Sequence, residues 1–203
     1  MSKVHPAEIR FVLASKSAIR AELLRGAGLE VEIVPANVDE RGLEAAWSGA
    51  GPDVVARNLA QEKAVAVSLS CPGCLVIGAD QTLALGAERF SKAADLLEAR
   101  ARLLRLRGRT HTLHSGFALA RDGAVLRAGV ASAHLTMRTF SEAFLDAYLA
   151  RAGEAILTSV GCYQLEHLGV TLFEAIEGDY FTILGLPLLA LLAALRQEGL
   201  IED

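Results

Sequence analysis

Residues 13–40 read "LASKSAIRAELLRGAGLEVEIVPANVDE", and the order of elements inside this stretch decides the fold class. The preceding "IRFVLAS" is a buried strand ending at Ser15. Ser17 is placed as an N-cap for a helix over about residues 18–27, with Gly28 as its C-terminal stop. "LEVEIVP" then alternates apolar and acidic residues, the period of two expected of a half-buried strand. Strand, helix and strand thus follow one another within one short segment.

The rest of the chain continues the interleaving. Pro52 opens a long helical pattern through Ser68 that carries Val55, Leu59 and Ala66 on one side. "CLVIGAD" is a continuous apolar run ending on Asp80, and "TLALG" is expected as its paired return strand. Residues from about 93 to 107 are helical and rich in arginine. The alternating stretch from Thr110 turns at Asp122–Gly123, a hairpin signal. Ser141 caps an amphipathic helix, and the remainder reads as short strands followed by a terminal helix. The class expected is α/β, a mixed twisted sheet with flanking helices. No repeat, low-complexity tract or linker divides the 203 residues, so one domain over 1–203 is expected.

Composition excludes several classes. Apolar residues are 52% and charged ones 22%, a globular balance rather than a disordered one. The net charge of −4 exerts no general pull on nucleic acid or an anionic membrane, so neither is expected as a partner and any anion site must be local. "ILGLPLLALLAAL", the most apolar run, falls short of the roughly 20 residues of a membrane span. It reads as a turn leading into a buried helix, with Pro187 in its first turn and Gly199 past its end. The N-terminus has no charged-then-apolar signal pattern, and the three cysteines are an odd number. The expected compartment is the reducing cytoplasm.

Some candidate motifs have ordinary explanations. Cys71-Pro-Gly-Cys74 has redox and zinc spacing, but it precedes a strand instead of opening a helix and lacks a second ligand pair, so it reads as a turn. His111 and His114, three apart in a strand, point to opposite faces and make a poor chelate. The arginines at 100, 102, 105, 107 and 109 lack interleaved aromatics and read as a solvated helix face.

Three places carry chemistry. The turn from Ser15 to Arg20 offers hydroxyls, unpaired backbone N–H groups, a helix N-terminus and a fixed charge, all suited to phosphate. Asp80 ends a buried strand, where α/β proteins place reactive carboxylates. Lys63 sits close to the apolar side of its helix, and Lys92 follows the strand pair. Phosphate clamps together with carboxylates for a metal and a base are the inventory for hydrolysing a phosphoanhydride.

"SKSAIRAELL", Asp39–Glu40, "EKA", "GAD", "SKA" and "GVTLFEAIEGDYFTILGLPL" together resemble the Maf family of nucleoside triphosphate pyrophosphatases, in the family's motif order. Ser15, Ser17, Arg20 and Glu22 match its first motif, while Ala18 and Ile19 replace its usual proline and arginine or aromatic residue. Lys92 is kept where the neighbouring glycine and proline of the family's G-K-P motif are not. The resemblance implies a Maf/ITPase-like fold of two lobes around a nucleotide cleft, often assembled as homodimers. It implies cleavage of a nucleoside triphosphate to the monophosphate and pyrophosphate with a divalent cation, Mg²⁺ or Mn²⁺. In that scheme Asp80 is the base and shares the metal with Glu40, and Lys63 assists. Ser15, Ser17, Arg20 and Lys92 bind phosphate, and Ile19, Gln81 and Glu166 meet the base. Gln81, "AQEKA" and "GVTLFEAIEG" look more like the 7-methyl-GTP branch than the dTTP/UTP branch, although His167 stands where glycine is usual. A second reading, from another class, is a nucleotide-binding regulator of division and septum formation without turnover. It would lack the base or a metal ligand, whereas Asp80, Glu40, Lys63 and Lys92 are all present.

Overall fold

The computed structural model describes residues 9–202; the N-terminal residues read above for a signal pattern begin outside that range. A seven-stranded sheet runs through it in the order β2-β1-β3-β5-β6-β7, with β4 paired to β3. β1 (Phe11–Leu13) pairs in parallel with both β2 (Val31–Ile33) and β3 (Leu75–Leu85), as the strand–helix–strand segment requires. From β3 onward the pairing is antiparallel, through β5 (Thr110–Arg121), β6 (Ala124–Met137) and β7 (Phe173–Glu177). The mixed α/β class is therefore as expected. The β5–β6 hairpin turns at Asp122 (φ 51°) and Gly123 (φ 82°), the two positive-φ positions that a two-residue turn of this hand demands.

One strand was divided wrongly. "TLAL" does not return on "CLVIGAD" but continues it, making β3 eleven residues long. Nothing between Asp80 and Leu85 can reverse the chain, and the first residue able to turn it is Gly86 at φ 62°. The return strand is β4 (Glu88–Phe90), which places Phe90 opposite Leu83. Residues 153–172, expected as short strands, contain two 3-10 segments, Gly153–Thr158 and Leu168–Leu172. Ser159 Oγ bonds both the N–H and the carbonyl of Tyr163, which gives this backbone local partners in place of a ladder.

The apolar residues gather in three clusters, and β3 passes between them. Leu75, Ile77 and Ala79 pack with Leu24 of α1 (Ala18–Gly26) and Leu191 of α7 (Leu188–Gln197) on one face. Val76 packs with Ala60 and Ala64 of α3 (Pro52–Ser70) on the other. Farther along, Leu83 belongs to a third cluster with Leu103 of α4 (Leu96–Leu106) and Leu145 of α5 (Glu142–Ala152). The polar stretch Asp80–Gln81–Thr82 falls between the first two cores and the third. It faces Gly116, Ser115 and His114 of β5 in register. A polar seam between apolar cores is where a cleft can open.

α3 lies unusually close to this sheet. A Cβ on Gly78 would stand 2.0 Å from the Ala60 carbonyl oxygen, and one on Gly116 would stand 2.4 Å from that of Ala56. Ala56, Ala60 and Ala64 repeat every four residues along the helix, so the small face of α3 presses against the two strand glycines. That contact sets how far a side chain of α3 must reach to meet the seam. Among the described residues no helix is long and apolar enough to cross a membrane.

Candidate active site

A cleft of about 950 Å³ opens at the seam. Its lining includes every residue expected to bind substrate or metal or to catalyse: Ser15, Ser17, Ile19 and Arg20 from the first turn, Glu40, Lys63, Asp80 and Gln81, then Lys92 and Glu166.

Lys63 stands at the centre of its charge. The side chain is buried, held on the inner face of α3 one residue before Ala64. Its Nζ donates to Asp80 Oδ1 at 2.5 Å and stands 2.9 Å from Glu40 Oε1. One ammonium thus bridges a buried carboxylate on β3 and a half-exposed one at the start of α2 (Glu40–Ala46), leaving the trio negative. Each carboxylate keeps a second oxygen that accepts no hydrogen bond from the described residues. The Asp39–Glu40 pair divides its work. Asp39 caps α2 by accepting from the Gly42 N–H, and this sets Glu40 in the first helical turn, directed at Lys63.

Among the described residues no third carboxylate, cysteine or histidine joins Asp80 and Glu40 in a metal-holding group. Two converging carboxylates with free oxygens fit a hard cation that keeps water ligands and takes its remaining oxygens from a phosphorylated substrate. They do not fit a closed structural site.

Ser17 occupies the N-cap position of α1 but makes no side-chain capping bond. Its hydroxyl and the first N–H groups of the helix are left for an anion. Ser15 Oγ accepts from the Ser17 N–H at 3.3 Å and from Arg20 Nη1 at 3.1 Å. Arg20 also donates from Nη1 to the Ala79 carbonyl at 2.9 Å and from Nε to the Gly185 carbonyl at 2.8 Å. The guanidinium therefore ties the first turn, the middle of β3 and the C-terminal turn together while still lining the cleft. Burial pushes its pKa below the ordinary arginine value, against Asp80 and Glu40, which raise it. Gly185 sits at φ 96°, and a Cβ there would stand 3.1 Å from Arg20 Nη2. The left-handed turn and the arginine both require glycine.

Lys92 is exposed at the rim. Partial desolvation within the cleft lowers its ammonium pKa, and the charge of nearby Arg20 lowers it further. Glu166 lines the cleft with no hydrogen-bond partner among the described residues.

Gln81 is spent differently from the sequence expectation. Strand alternation turns it away from Asp80, and Nε2 lies within 3.0–3.1 Å of Ser115 Oγ and of the Thr182 and Ile183 carbonyls. Its amide nitrogen pins α6 (Tyr180–Ile183) to β3, which leaves only its carbonyl oxygen for a ligand.

The arginine row also departs from a solvated face. Arg102 is 6% exposed. Its Nη1 donates to the Ser91 carbonyl and, at 2.9 Å, to the Val160 carbonyl, while Nη2 meets Glu98 at 2.9 Å. It braces the loop carrying Lys92 against the segment that leads to Glu166. Arg100 pairs with Glu142 and Asp146, and Arg105 with Glu88, so these cations are compensated within the chain. Arg102 shares the buried stripe of α4 with Ala99, Leu103 and Leu106, so helical spacing marks its face although its charge does not suggest burial; the loop at Ser91 folds over it and takes its hydrogen bonds.

His111, His114, Cys71 and Cys74 stay out of the cleft chemistry. His111 is buried against the Tyr163 hydroxyl at 2.7 Å, and burial lowers its pKa to about 4. His114 bonds Ser132. Cys71 and Cys74 close the expected turn, joined by a disulfide that the sequence reading did not anticipate.

Residues 10–198 match the family described as Maf-like protein. The chain belongs to the Maf family. It is 50% identical over 196 residues to a protein of Brucella abortus named 7-methyl-GTP pyrophosphatase, covering 96% of this chain and 98% of that one. It is 55% identical over 190 residues to one of Bradyrhizobium diazoefficiens named nucleoside triphosphate pyrophosphatase, covering 94% of each. A HAM1 protein from Coxiella burnetii is similar at a TM-score of 0.40 and 17% identity, over 64% of this chain and 73% of that one, a likeness too slight to argue from. Within this Maf-family chain, Arg102 and Gly185 are the supports of the cleft that sequence reasoning missed. The positive φ of Gly185 had one faint signal, its place in "ILGLP" before a proline.

Proposed function

We propose that this Maf-family chain is a nucleoside triphosphate pyrophosphatase, a house-cleaning enzyme that cleaves the bond between the α- and β-phosphates. The observation that carries the reading is Lys63 bridging Asp80 and Glu40 in the cleft, with Arg20 and Lys92 close by. The names of the relatives agree with it.

The residues divide into three tasks. The Ser17 hydroxyl and the N-terminus of α1 receive phosphate oxygens, with Lys92 supplying charge at the rim. Asp80 orients a water against the α-phosphorus and accepts its proton through the free Oδ2, while Lys63 holds Oδ1 in place. The water oxygen bonds to phosphorus, the bridging oxygen leaves with the β-phosphate, and monophosphate and pyrophosphate separate. Glu40 and Asp80 would hold a divalent cation, Mg²⁺ or Mn²⁺, which supplies charge neutralisation on the phosphate oxygens.

Ile19, Glu166 and the Gln81 carbonyl oxygen are assigned to the base. A carboxylate at Glu166 accepts from guanine N1–H and the amino group and favours a cationic methylated ring, so 7-methyl-GTP is the preferred substrate in this reading. A cytoplasmic location, where triphosphate pools lie, a single domain and a homodimer complete the proposal; light scattering tests the last. The test of function is pyrophosphate release from a panel of triphosphates including 7-methyl-GTP, dTTP and UTP. Equimolar monophosphate and pyrophosphate are expected. Nucleotide binding without turnover would support the regulator of division instead, and faster turnover of dTTP and UTP than of 7-methyl-GTP would overturn the base assignment.

A further inference from the structure

Arg89 lines the same cleft but has no role in the site described so far. It lies on β4 directly opposite Ala84 of β3. Side chains paired across antiparallel strands share a face, and Ala84 is four residues from Asp80, so Arg89 projects on the face that carries Asp80. Its Nη1 is buried and has no hydrogen-bond partner among the described residues, while the side chain as a whole is about one quarter exposed. The nearest opposite charge is Glu44 Oε2, at 3.7 Å, beyond hydrogen-bonding reach.

A buried arginine nitrogen with no protein acceptor in reach, beside a polar cleft, is suited to receive an anion. Where that anion lies follows from α2. Glu40 and Glu44 are one helical turn apart on the same face of this helix, a separation of roughly 6 Å. Glu40 contacts Lys63, Lys63 contacts Asp80, and Glu44 faces Arg89. Charge thus runs in a row from Asp80 through Lys63 and Glu40 to Arg89. A triphosphate whose α-phosphorus stands at Asp80 extends its outer phosphates along this row.

The geometry points to Arg89 as the cation that receives the outer phosphates of the substrate and, after cleavage, the pyrophosphate product, a role that rests on the activity proposed above. A guanidinium suits it because the planar fork presents two parallel donors to phosphate oxygens. The Glu44 carboxylate holds the side chain near the cleft without satisfying Nη1, so phosphate binding replaces a poor contact with a good one.

Calorimetric binding of inorganic pyrophosphate and, separately, of a nucleoside monophosphate, both with Mg²⁺, tests this on the wild type, Arg89→Gln and Arg89→Lys. Arg89→Gln is expected to weaken pyrophosphate binding by about 10- to 100-fold, the range for losing a hydrogen bond to a charged group, with monophosphate binding unchanged. Arg89→Lys keeps the charge but not the fork and should fall between them; it also decides the matter if the glutamine variant does not fold. Unchanged pyrophosphate affinity, or an equal loss for the monophosphate, overturns the assignment of Arg89. A wild type that neither cleaves triphosphates nor binds pyrophosphate overturns the proposed activity itself.

Discussion

Lys63 Nζ and Asp80 Oδ1 are 2.5 Å apart, with both side chains about nine-tenths buried. The pair joins α3 to β3 at the point where the sheet passes from two of its apolar cores to the third. Removing one partner leaves a buried charge without compensation, which typically costs about 3–5 kcal/mol. Lys63→Met should therefore lower the urea midpoint sharply and abolish turnover. In a double-mutant cycle with Asp80→Asn, the two losses should be coupled by about 0.5–3 kcal/mol. Additive losses would mean that the contact contributes nothing specific.

Asp80→Asn keeps the shape of the side chain and removes the base. Turnover should fall by about 10²–10⁴-fold, the usual contribution of general-base catalysis, with triphosphate binding retained. Single-turnover kinetics alongside calorimetry separate the two effects. A near-normal kcat would remove Asp80 from the chemistry.

Glu40 is half exposed, so Glu40→Gln should fold normally. The Mg²⁺ concentration giving half-maximal rate should rise, and exhaustive chelation of the wild type should stop turnover. A metal titration that superimposes on the wild type would take Glu40 out of the metal site.

Lys92 has a lowered pKa, caused first by desolvation and then by Arg20. A lysine shifted down loses its charge at lower pH than an ordinary one, so KM for the triphosphate should rise as pH increases through that lowered value. Lys92→Arg keeps the charge and should extend the alkaline limb of the kcat/KM profile. Coincident alkaline limbs would show that another group titrates there.

Arg102 holds the Ser91 and Val160 carbonyls from beneath. Arg102→Met leaves both acceptors unpaired and should cost about 1–3 kcal/mol of stability. Because those carbonyls flank Lys92 and the Glu166 segment, KM should rise more than kcat falls. A lowered melting temperature with unaltered kinetics would make Arg102 purely structural.

Much of the site was legible because short-range rules govern its parts. A serine before a helix, an acidic pair opening the next one, and an aspartate closing an apolar run each announce themselves within a few residues, although Asp80 proves to sit in the middle of β3 and not at its end. Lys63 was legible as a lysine near the apolar side of a helix, and its burial follows from that periodicity. The sequence also identified the strand–helix–strand start, the turn at Asp122–Gly123 and the cap at Ser141.

What only the tertiary structure decided depends on partners distant in the chain. The composition of "TLAL" suits a return strand or a continuation equally; pairing with β5 along its length makes it a continuation of β3. Gln81 lines the cleft as expected, but only the fold shows that its amide nitrogen is held by carbonyls about a hundred residues later, on α6. Arg102 resembled its solvated neighbours until two loops closed over it. The distance between Lys63 and Asp80 was set by Ala56 and Ala60 pressing against Gly116 and Gly78. Local pattern encodes a residue's type and its face, because backbone periodicity acts over a few residues. Which donor meets which acceptor is settled by packing between elements, and that is a property of the whole fold.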